Sequence, residues 1–369
     1  MMLDRRRFLA AGAAAALLRP GRAAEARRRG LGAVAAARGL AFGSAFDREI
    51  FEDAAYAALI RSECRIGAIE NSLKFDWLRP TGPEADYAAA DRLVAFAEAA
   101  GLALRGTALI WNDWTPAWLD WLPPPERRAI MEGHIDETVG RYAGRVASWD
   151  VVNEPFFPPH GREGGYRKGA WLEAMGPSYI ERAFARAAAA DPSAQLVLNE
   201  AFCEQDDELG RAIRPLLFEQ VRRMKAEGVK IDAVGFEAHL KPHLPFDDAA
   251  FAAYVASIAD LGVDILITEL DVDDSAMPDD LAARDAAVAA RVGAFLDAVL
   301  TVPRVRAVIT WHLSDRYSWY RGADWYAAQV AGSGGSPGRP VRSHLFDADL
   351  APKAAAVAAA DSFARSAPR

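Results

Sequence analysis

Eight strand-like segments alternate with helix-like segments along this chain from about residue 40 onward. Such an alternation is typical of successive βα units, and eight of these units close into a barrel of parallel strands. We therefore predict an α/β fold consisting of a single (β/α)8 TIM barrel. The predicted strands are residues 40–45, 65–70, 103–111, 147–153, 194–198, 233–238, 265–270 and 305–311.

Alanine-rich segments with helical spacing connect these strands. They are residues 87–100, 127–142, 177–190, 209–227, 247–261 and 282–300. A stretch rich in Gly, Ser and Pro, residues 331–340, falls in the last strand-to-helix connection, where barrels carry active-site loops. With 369 residues, 51% of them hydrophobic, the chain is large enough for one big core, and no repeat or interdomain linker interrupts it.

Two of the predicted strands end in a glutamate. Glu154 follows the run Trp149-Asp150-Val151-Val152-Asn153, and Glu269 follows Ile265-Leu266-Ile267-Thr268. A carboxylate at the end of an apolar run is costly to desolvate unless it is used or paired, so two such placements indicate a functional pair. In a barrel, the carboxyl ends of all strands converge on one face, which brings residues distant in sequence together. Hydrolysis of a glycosidic bond needs such a pair, one carboxyl protonated and the other ionised.

Aromatic residues and a lysine accompany the other predicted strand ends. Lys74 follows the second strand, and a lysine next to an aromatic run can hydrogen-bond sugar hydroxyls, although an ordinary surface lysine is an open alternative. Indole faces stack on the apolar faces of sugar rings, but tryptophan clusters also occur in cores. Their positions favour sugar binding for Trp111, Trp311 and Trp319. Trp114, Trp118 and Trp121 crowd the same connection as Trp111.

The net charge and the few histidines and cysteines argue against several other classes of function. The net charge of −8 and the lack of a Lys/Arg-rich stretch in the folded part argue against nucleic acid as a partner, whereas a polysaccharide is compatible. None of the six histidines forms a His-x-His or Glu-x-x-His pair, so we expect neither a metal nor another cofactor. Cys64 and Cys203 are too few for a disulfide scaffold, and we expect both to be free.

The N-terminus has the pattern of a targeting segment. Arg5-Arg6-Arg7 is a twin-arginine motif that precedes a weakly hydrophobic run, residues 10–18, which is too short to span a bilayer. Small residues near Ala26 offer a cleavage site. We expect residues 1–26 to be a twin-arginine signal peptide and residues 27–369 the catalytic domain of a periplasmic or secreted monomer with no stable membrane span. A basic disordered tail is the alternative.

Six motifs in the same order resemble glycoside hydrolase family 10, whose best-known members are endo-β-1,4-xylanases. The resemblance runs from about Phe42 to the C-terminal helix. The motifs are Glu70-Asn71-x-x-Lys74, Leu109-Ile110-Trp111 with Pro116-x-Trp118, Trp149-Asp150-Val151-Val152-Asn153-Glu154, Gly235-Phe236-x-x-His239-Leu240, Ile267-Thr268-Glu269-Leu270-Asp271, and Trp311-x-x-x-Asp315-x-Tyr317-Ser318-Trp319.

The resemblance implies catalytic roles for the matching residues. Glu154 would be the general acid/base and Glu269 the nucleophile of a retaining double displacement. Asn153 would hold the 2-hydroxyl of the reacting sugar. His239 would hydrogen-bond Glu269, with Asp271 within reach of that network. A core histidine with satisfied hydrogen bonds is the alternative for His239.

The resemblance also implies the residues that bind the substrate. Asn71 and Lys74 would bind the next sugar on the non-reducing side, and Trp111, Trp311 and Trp319 would form the floor beneath the glycone. Glu237 stands near the nucleophile, where the family usually has glutamine. A carboxylate there would either repel Glu269 and share a proton with it, or find its own cation.

Other departures from the family pattern lie where sugars bind. Thr107 and Asn112 replace histidines, and Trp114 replaces a glutamine. Asn199-Glu200-Ala201 lacks the usual tyrosine and so removes an aglycone aromatic.

We therefore expect a retaining endo-β-1,4-xylanase acting on xylan or xylo-oligosaccharides. The alternatives are the same chemistry on another β-glycan or a short oligosaccharide, and a carbohydrate-binding barrel with little turnover.

Overall fold

The computed structural model describes residues 30–369, and the predicted signal peptide, residues 1–26, lies outside the described residues. The sheet of the described residues has ten parallel strands, which are β1 (Ala41–Phe46), β2 (Ile66–Ile69), β3 (Ala103–Gly106), β4 (Ile110–Trp111), β5 (Ser148–Asn153), β6 (Gln195–Glu200), β7 (Ala233–Phe236), β8 (His239–Leu240), β9 (Asp264–Val272) and β10 (Val305–Thr310). Eight of them, all except the two-residue strands β4 and β8, form a closed barrel, because β10 pairs with both β1 and β9.

The short strands β4 and β8 extend the barrel at its carboxyl end, where β4 pairs with β5 and β8 with β9. Helices of the described part cover the barrel and its ends. The α-helices are Leu31–Ala36, Ala54–Glu63, Phe75–Leu78, Ala88–Ala100, Pro124–Arg141, Ala170–Met175, Tyr179–Ala190, Glu208–Ala226, Asp248–Ala259, Leu281–Val299, Asp324–Gly332 and Ala354–Arg365. The predicted single TIM barrel is confirmed.

The predicted third strand, residues 103–111, differs from the observed structure because a bulge divides it. Gly106 pairs with Trp149 and Ile110 with Val152, so three residues of one strand face two of the other. The extra residue interrupts the ladder between β3 and β4. The predicted sixth strand, residues 233–238, ends earlier, at Phe236, because Ala238 has a left-handed φ of 63° that a strand cannot accommodate.

The apolar residues form two layers. Inside the barrel, small and branched side chains from opposite strands pack together, among them Ala68, Val197 and Leu266. A larger cluster fills the space between the strands and the helices. Tight strand packing requires glycine at position 43 in β1, where a Cβ atom would lie only 1.8 Å from the carbonyl oxygen of Ile66.

A buried ion pair lies inside the barrel. Arg105 on β3 donates to Asp150 on β5, and both side chains are almost completely buried. Burial raises the pKa of Asp150, Arg105 lowers it and the charge of Glu269 raises it, to about 6 in total. The interior of the barrel therefore contains an acidic group whose negative charge is compensated by Arg105.

Cys64 and Cys203 are buried free cysteines, as expected. Among the described residues, no helix is both long enough and apolar enough to cross a bilayer.

Replacing Asp150 should destabilise the fold strongly. Asp150→Asn leaves the buried Arg105 cation without its counter-charge, which costs about 3–5 kcal/mol when one partner of a buried pair is removed. The midpoint of urea unfolding should therefore fall markedly. The control is Glu98→Gln, which removes an exposed partner of Arg145 and should leave the midpoint unchanged. Equal midpoints for the two variants would contradict a structural role for the buried pair.

Candidate active site

The carboxyl ends of the strands open into one cavity of about 530 Å³. Ten of the eleven predicted site residues line it. They are Asn71, Lys74, Trp111, Asn153, Glu154, Glu237, His239, Glu269, Trp311 and Trp319. The eleventh, Asp271, lies behind His239 and is buried. The structure thus brings together residues from six of the eight barrel units.

Glu154 reaches this cavity through a sharp turn of the chain after β5. Its φ is 46°, which is left-handed, and its backbone N–H donates to the carbonyl oxygen of Asn199 at 2.9 Å. Such backbone strain in a non-glycine residue is typical of functional sites. Arg167 donates to Glu154 twice, from Nη2 to Oε2 at 2.5 Å and from Nε to the backbone carbonyl at 2.8 Å. Both the carboxyl group and the backbone of Glu154 are therefore fixed.

Burial and nearby charges bring the pKa of the Glu154 carboxyl group close to neutral pH. Burial raises the pKa of Glu154, the Arg167 guanidinium lowers it, and the negative charge of Glu269 raises it, to about 7 in total. A carboxyl group with this pKa can both donate and accept a proton near neutral pH.

Glu269 lies within β9 and accepts hydrogen bonds on both carboxylate oxygens. Asn199 Nδ2 donates to Oε1 at 3.1 Å, and His239 Nε2 lies 3.3 Å from Oε2. His239 Nδ1 lies 2.9 Å from Asp271 Oδ1. Burial alone would lower the pKa of His239, but Asp271 and Glu269 outweigh burial and raise it well above its usual value. The two carboxylates therefore favour the protonated form of His239.

Asp271 is fixed in turn by two donors. Trp319 Nε1 donates to Oδ2 and Tyr320 OH donates to Oδ1, each at 2.7 Å. The hydrogen bond to Asp271 holds Trp319 at the cavity wall. Asp271, fixed by both donors, in turn orients the His239 ring.

Glu237 lies beside Glu269. Asn199 Nδ2 donates to its Oε1 at 3.2 Å, and His239 Nε2 lies 3.7 Å from its Oε2. Burial and the charges of Glu269 and Glu154 raise the pKa of Glu237 well above its usual value. Glu237, His239 and Glu269 are also close enough together to hold a metal ion, although we expected no metal from the sequence.

Asn199 and Arg167 organise the site and were missed as site organisers from the sequence. The Asn199 amide donates to Glu237 and Glu269, and to Asn153 Oδ1 at 2.8 Å, while Asn153 Nδ2 donates to Glu154 Oε1 at 3.3 Å. A polar residue near the end of an apolar run is the same signal that identified the two glutamates, so Asn199 could have been found. No pattern marks Arg167, which lies in an irregular connection and pairs with Glu154 and Asp113.

An aromatic cage surrounds Lys74 at the other end of the cavity. Its Nζ donates to Asn71 Oδ1 at 3.0 Å and lies 5.0 Å from the ring centre of Trp114, 5.2 Å from Trp111 and 5.7 Å from Trp311. Trp114 stacks on Trp111 with ring centres 5.6 Å apart. The tryptophan that replaces the usual glutamine therefore packs against two predicted sugar-binding residues.

The other departures occupy different environments. Thr107 lines the cavity. Asn112 is buried and accepts from the backbone N–H of Trp171 at 3.2 Å, so it supports the protein framework. An aromatic side chain is present after β6 despite the missing tyrosine, because Phe202, with a left-handed φ of 62°, also lines the cavity.

Comparison with known proteins agrees with this geometry. Residues 30–362 match the profile of glycosyl hydrolase family 10. The chain belongs to this family. It is 32% identical to endo-1,4-beta-xylanase 5 of Pyricularia oryzae over 86% of this chain and 74% of that protein, and 32% identical to endo-1,4-beta-xylanase A of Fusarium oxysporum f. sp. lycopersici over 76% of this chain and 86% of that protein.

Solved structures of xylanases share the fold. Xylanase 10B from Thermotoga maritima superposes with a TM-score of 0.78 at 28% identity, covering 90% of this chain and 98% of that chain. Xylanase 10B from Thermotoga petrophila RKU-1 in complex with xylobiose gives a TM-score of 0.79 at 27% identity, covering 90% and 97%. The family 10 resemblance identified from the motifs is confirmed.

Arg167 should set the protonation of Glu154. We expect Glu154 to titrate near pH 7, and Arg167→Met to move this titration upward by about 1–3 pH units, since removal of a cation disfavours the carboxylate. Carbon-13 NMR of protein labelled at the glutamate carboxyl carbons measures the titration of Glu154. The Glu154 signal is assigned as the one that is absent in Glu154→Gln.

The control is Arg162→Met, which removes an exposed arginine paired with Glu173 and should leave the titration unchanged. A Glu154 titration that is the same in Arg167→Met as in the unchanged protein would refute the assigned role of Arg167.

Proposed function

We propose that the chain is a retaining endo-1,4-β-xylanase that hydrolyses xylan or xylo-oligosaccharides. One observation carries the proposal: two buried glutamates from the ends of different strands face one cavity in contrasting environments. Glu154 has a pKa of about 7 and an arginine partner, while Glu269 is held by His239 and Asn199. Membership of family 10 and the named activities of the relatives support it.

The reaction follows from these two environments. Glu154 donates its proton to the glycosidic oxygen as the bond to the anomeric carbon breaks, while a Glu269 oxygen attacks that carbon and forms a glycosyl–enzyme ester. In the second step, Glu154 removes a proton from water, which attacks the anomeric carbon and releases Glu269. Two inversions at the same carbon retain the configuration.

The neighbouring residues orient the substrate. Asn153 would hold the 2-hydroxyl of the reacting sugar, with its amide kept in place by Asn199. Asn71 and Lys74 would hydrogen-bond the next sugar towards the non-reducing end. Trp111, Trp311 and Trp319 would supply the apolar faces on which pyranose rings stack.

Short oligosaccharides, or another β-glycan, are the second candidate substrates. The specific observation is Trp114, which adds an apolar ring over Lys74 in place of an amide that could hydrogen-bond a sugar. A carbohydrate-binding barrel with little turnover is disfavoured, because both glutamates line the same cavity.

We also propose that residues 1–26 direct export by the twin-arginine route, which leaves residues 27–369 as a periplasmic or secreted catalytic domain acting as a monomer. Arg5-Arg6-Arg7 and the apolar run that follows support this proposal. The acidic net charge supports a neutral polysaccharide as the partner and argues against nucleic acid.

Removal of Glu154 should reduce activity according to the leaving group. Glu154→Ala should lower kcat/KM on xylo-oligosaccharides by about 10²–10⁴-fold, since a sugar leaving group needs protonation. An aryl xylobioside with an activated phenol needs little protonation and should lose far less. Glu163→Ala, which removes an exposed carboxylate, is the control and should retain both activities. Equal losses on both substrates would overturn the acid/base assignment.

Thr107 and Trp114 should lower activity on polymeric xylan. Each lost polar contact to a sugar hydroxyl weakens transition-state binding by roughly 1–3 kcal/mol. We expect a lower kcat/KM on xylan than that of Thermotoga maritima xylanase 10B assayed side by side, and partial recovery in Thr107→His with Trp114→Gln.

The control is Trp121→Gln, which alters an 83% exposed tryptophan that does not line the cavity. Vigorous hydrolysis of xylan by the unchanged protein, together with a double variant that is worse, would show that other residues compensate.

A further inference from the structure

Three potential metal ligands converge beneath the cavity. The Nε2 atom of His239 lies 3.3 Å from Oε2 of Glu269 and 3.7 Å from Oε2 of Glu237, and all three ligand atoms lie within 4.8 Å of one another. A tetrahedral zinc ion binds nitrogen and oxygen ligands at about 2.0–2.2 Å, which places neighbouring ligand atoms about 3.3–3.6 Å apart. The two separations from His239 are close to these values.

Hydrogen bonds already aim the two carboxylates. Asn199 Nδ2 donates to Oε1 of Glu237 at 3.2 Å and to Oε1 of Glu269 at 3.1 Å. The Oε2 oxygen of each glutamate is left on the side of His239. One amide therefore holds both carboxylates side by side, and little rearrangement is needed for both to coordinate one ion.

A third carboxylate orients the imidazole. Asp271 contacts His239 Nδ1 at 2.9 Å, so Nε2 points at the two glutamates. Histidines that bind metals usually donate their other ring nitrogen to a carboxylate in this way, which fixes the ring and strengthens its basicity. Trp319 and Tyr320 hold Asp271 in turn.

The charge of the two carboxylates and their position at the cavity also favour binding of a cation. Two buried carboxylates share one imidazole, and a divalent ion would compensate both charges by replacing protons at these atoms. All three side chains line the cavity, so a water molecule can complete the tetrahedron from the open side.

We propose that Glu237, His239 and Glu269 form a binding site for Zn²⁺ or a similar divalent transition-metal ion, and that the bound ion blocks Glu269. The ion is an inhibitor of the proposed hydrolysis, which requires a free Glu269 carboxylate. Glu237 makes the site a property of this chain, since the amide of a glutamine at this position could not supply the second carboxylate.

Isothermal titration calorimetry of chelator-treated protein with zinc chloride tests the site without any turnover. We expect one Zn²⁺ per chain and an affinity at least about tenfold weaker in Glu237→Gln, which keeps the shape of the side chain but cannot supply a carboxylate. His243→Gln is the matched control, because His243 is exposed and only four residues from His239. This variant should bind Zn²⁺ with the same affinity as the unchanged protein.

Asp271→Asn provides a second variant and should weaken binding by about 10–100-fold if Asp271 orients the ligand histidine. Circular dichroism verifies that each variant is folded. Zinc affinity that survives Glu237→Gln but falls in His243→Gln would place the ion on the surface and overturn the proposal, as would an absence of binding to the unchanged protein.

Inhibition provides the second readout. Zn²⁺ should compete with an aryl xylobioside, a chelator should restore activity, and Glu237→Gln should require at least about tenfold more Zn²⁺ for the same inhibition. Specific binding with no hydrolysis of any glycoside would refute the proposed function and leave the metal site intact, so the two failures are distinguishable.

Discussion

Burial of several carboxyl groups at one end of a barrel is the constraint on which the rest of this site depends. Asp150, Glu154, Glu237, Glu269 and Asp271 are all at least nine-tenths buried, and a buried carboxylate without compensation is costly. Three cations compensate them, each close to its own carboxylates: Arg105 at Asp150, Arg167 at Glu154, and His239 between Asp271 and Glu269. The placement of these cations determines where the buried negative charge is compensated.

The contrast between the two glutamates therefore arises from their surroundings. Glu154 faces an arginine but also the charge of Glu269, and its pKa of about 7 results from this opposition and from burial. Glu269 is tied to His239, whose positive charge depends on Asp271 as well. Asn199 joins the two sides, since it donates to Glu269 and to Asn153, which in turn donates to Glu154. Two amides therefore connect the carboxyl groups of Glu154 and Glu269.

The sequence predicted the barrel, and the face on which its strand ends converge, because both depend on patterns with a physical period. Strand-like runs and helical spacing identified the eight barrel units, and polar residues at the ends of apolar runs identified Glu154 and Glu269. The bulge between Gly106 and Ile110 was missed, since one extra residue leaves the apolar pattern intact. Arg167 was missed because its partners are set by an irregular connection, where no spacing relates residues that meet. Likewise, the stacking of Trp114 on Trp111 depends on the path of a loop. Residues on strand ends were thus easier to predict than residues of the connecting loops.

Trapping of the glycosyl–enzyme intermediate distinguishes Glu269 from its neighbours, because it identifies the residue that attacks the sugar. The chain would be incubated with an aryl 2-deoxy-2-fluoro-β-xylobioside, and the labelled peptide identified by mass spectrometry. We expect one sugar adduct per chain on Glu269 and no adduct in Glu269→Gln. An adduct on the adjacent Glu237, or turnover of xylo-oligosaccharides with inverted configuration and no adduct, would contradict this expectation.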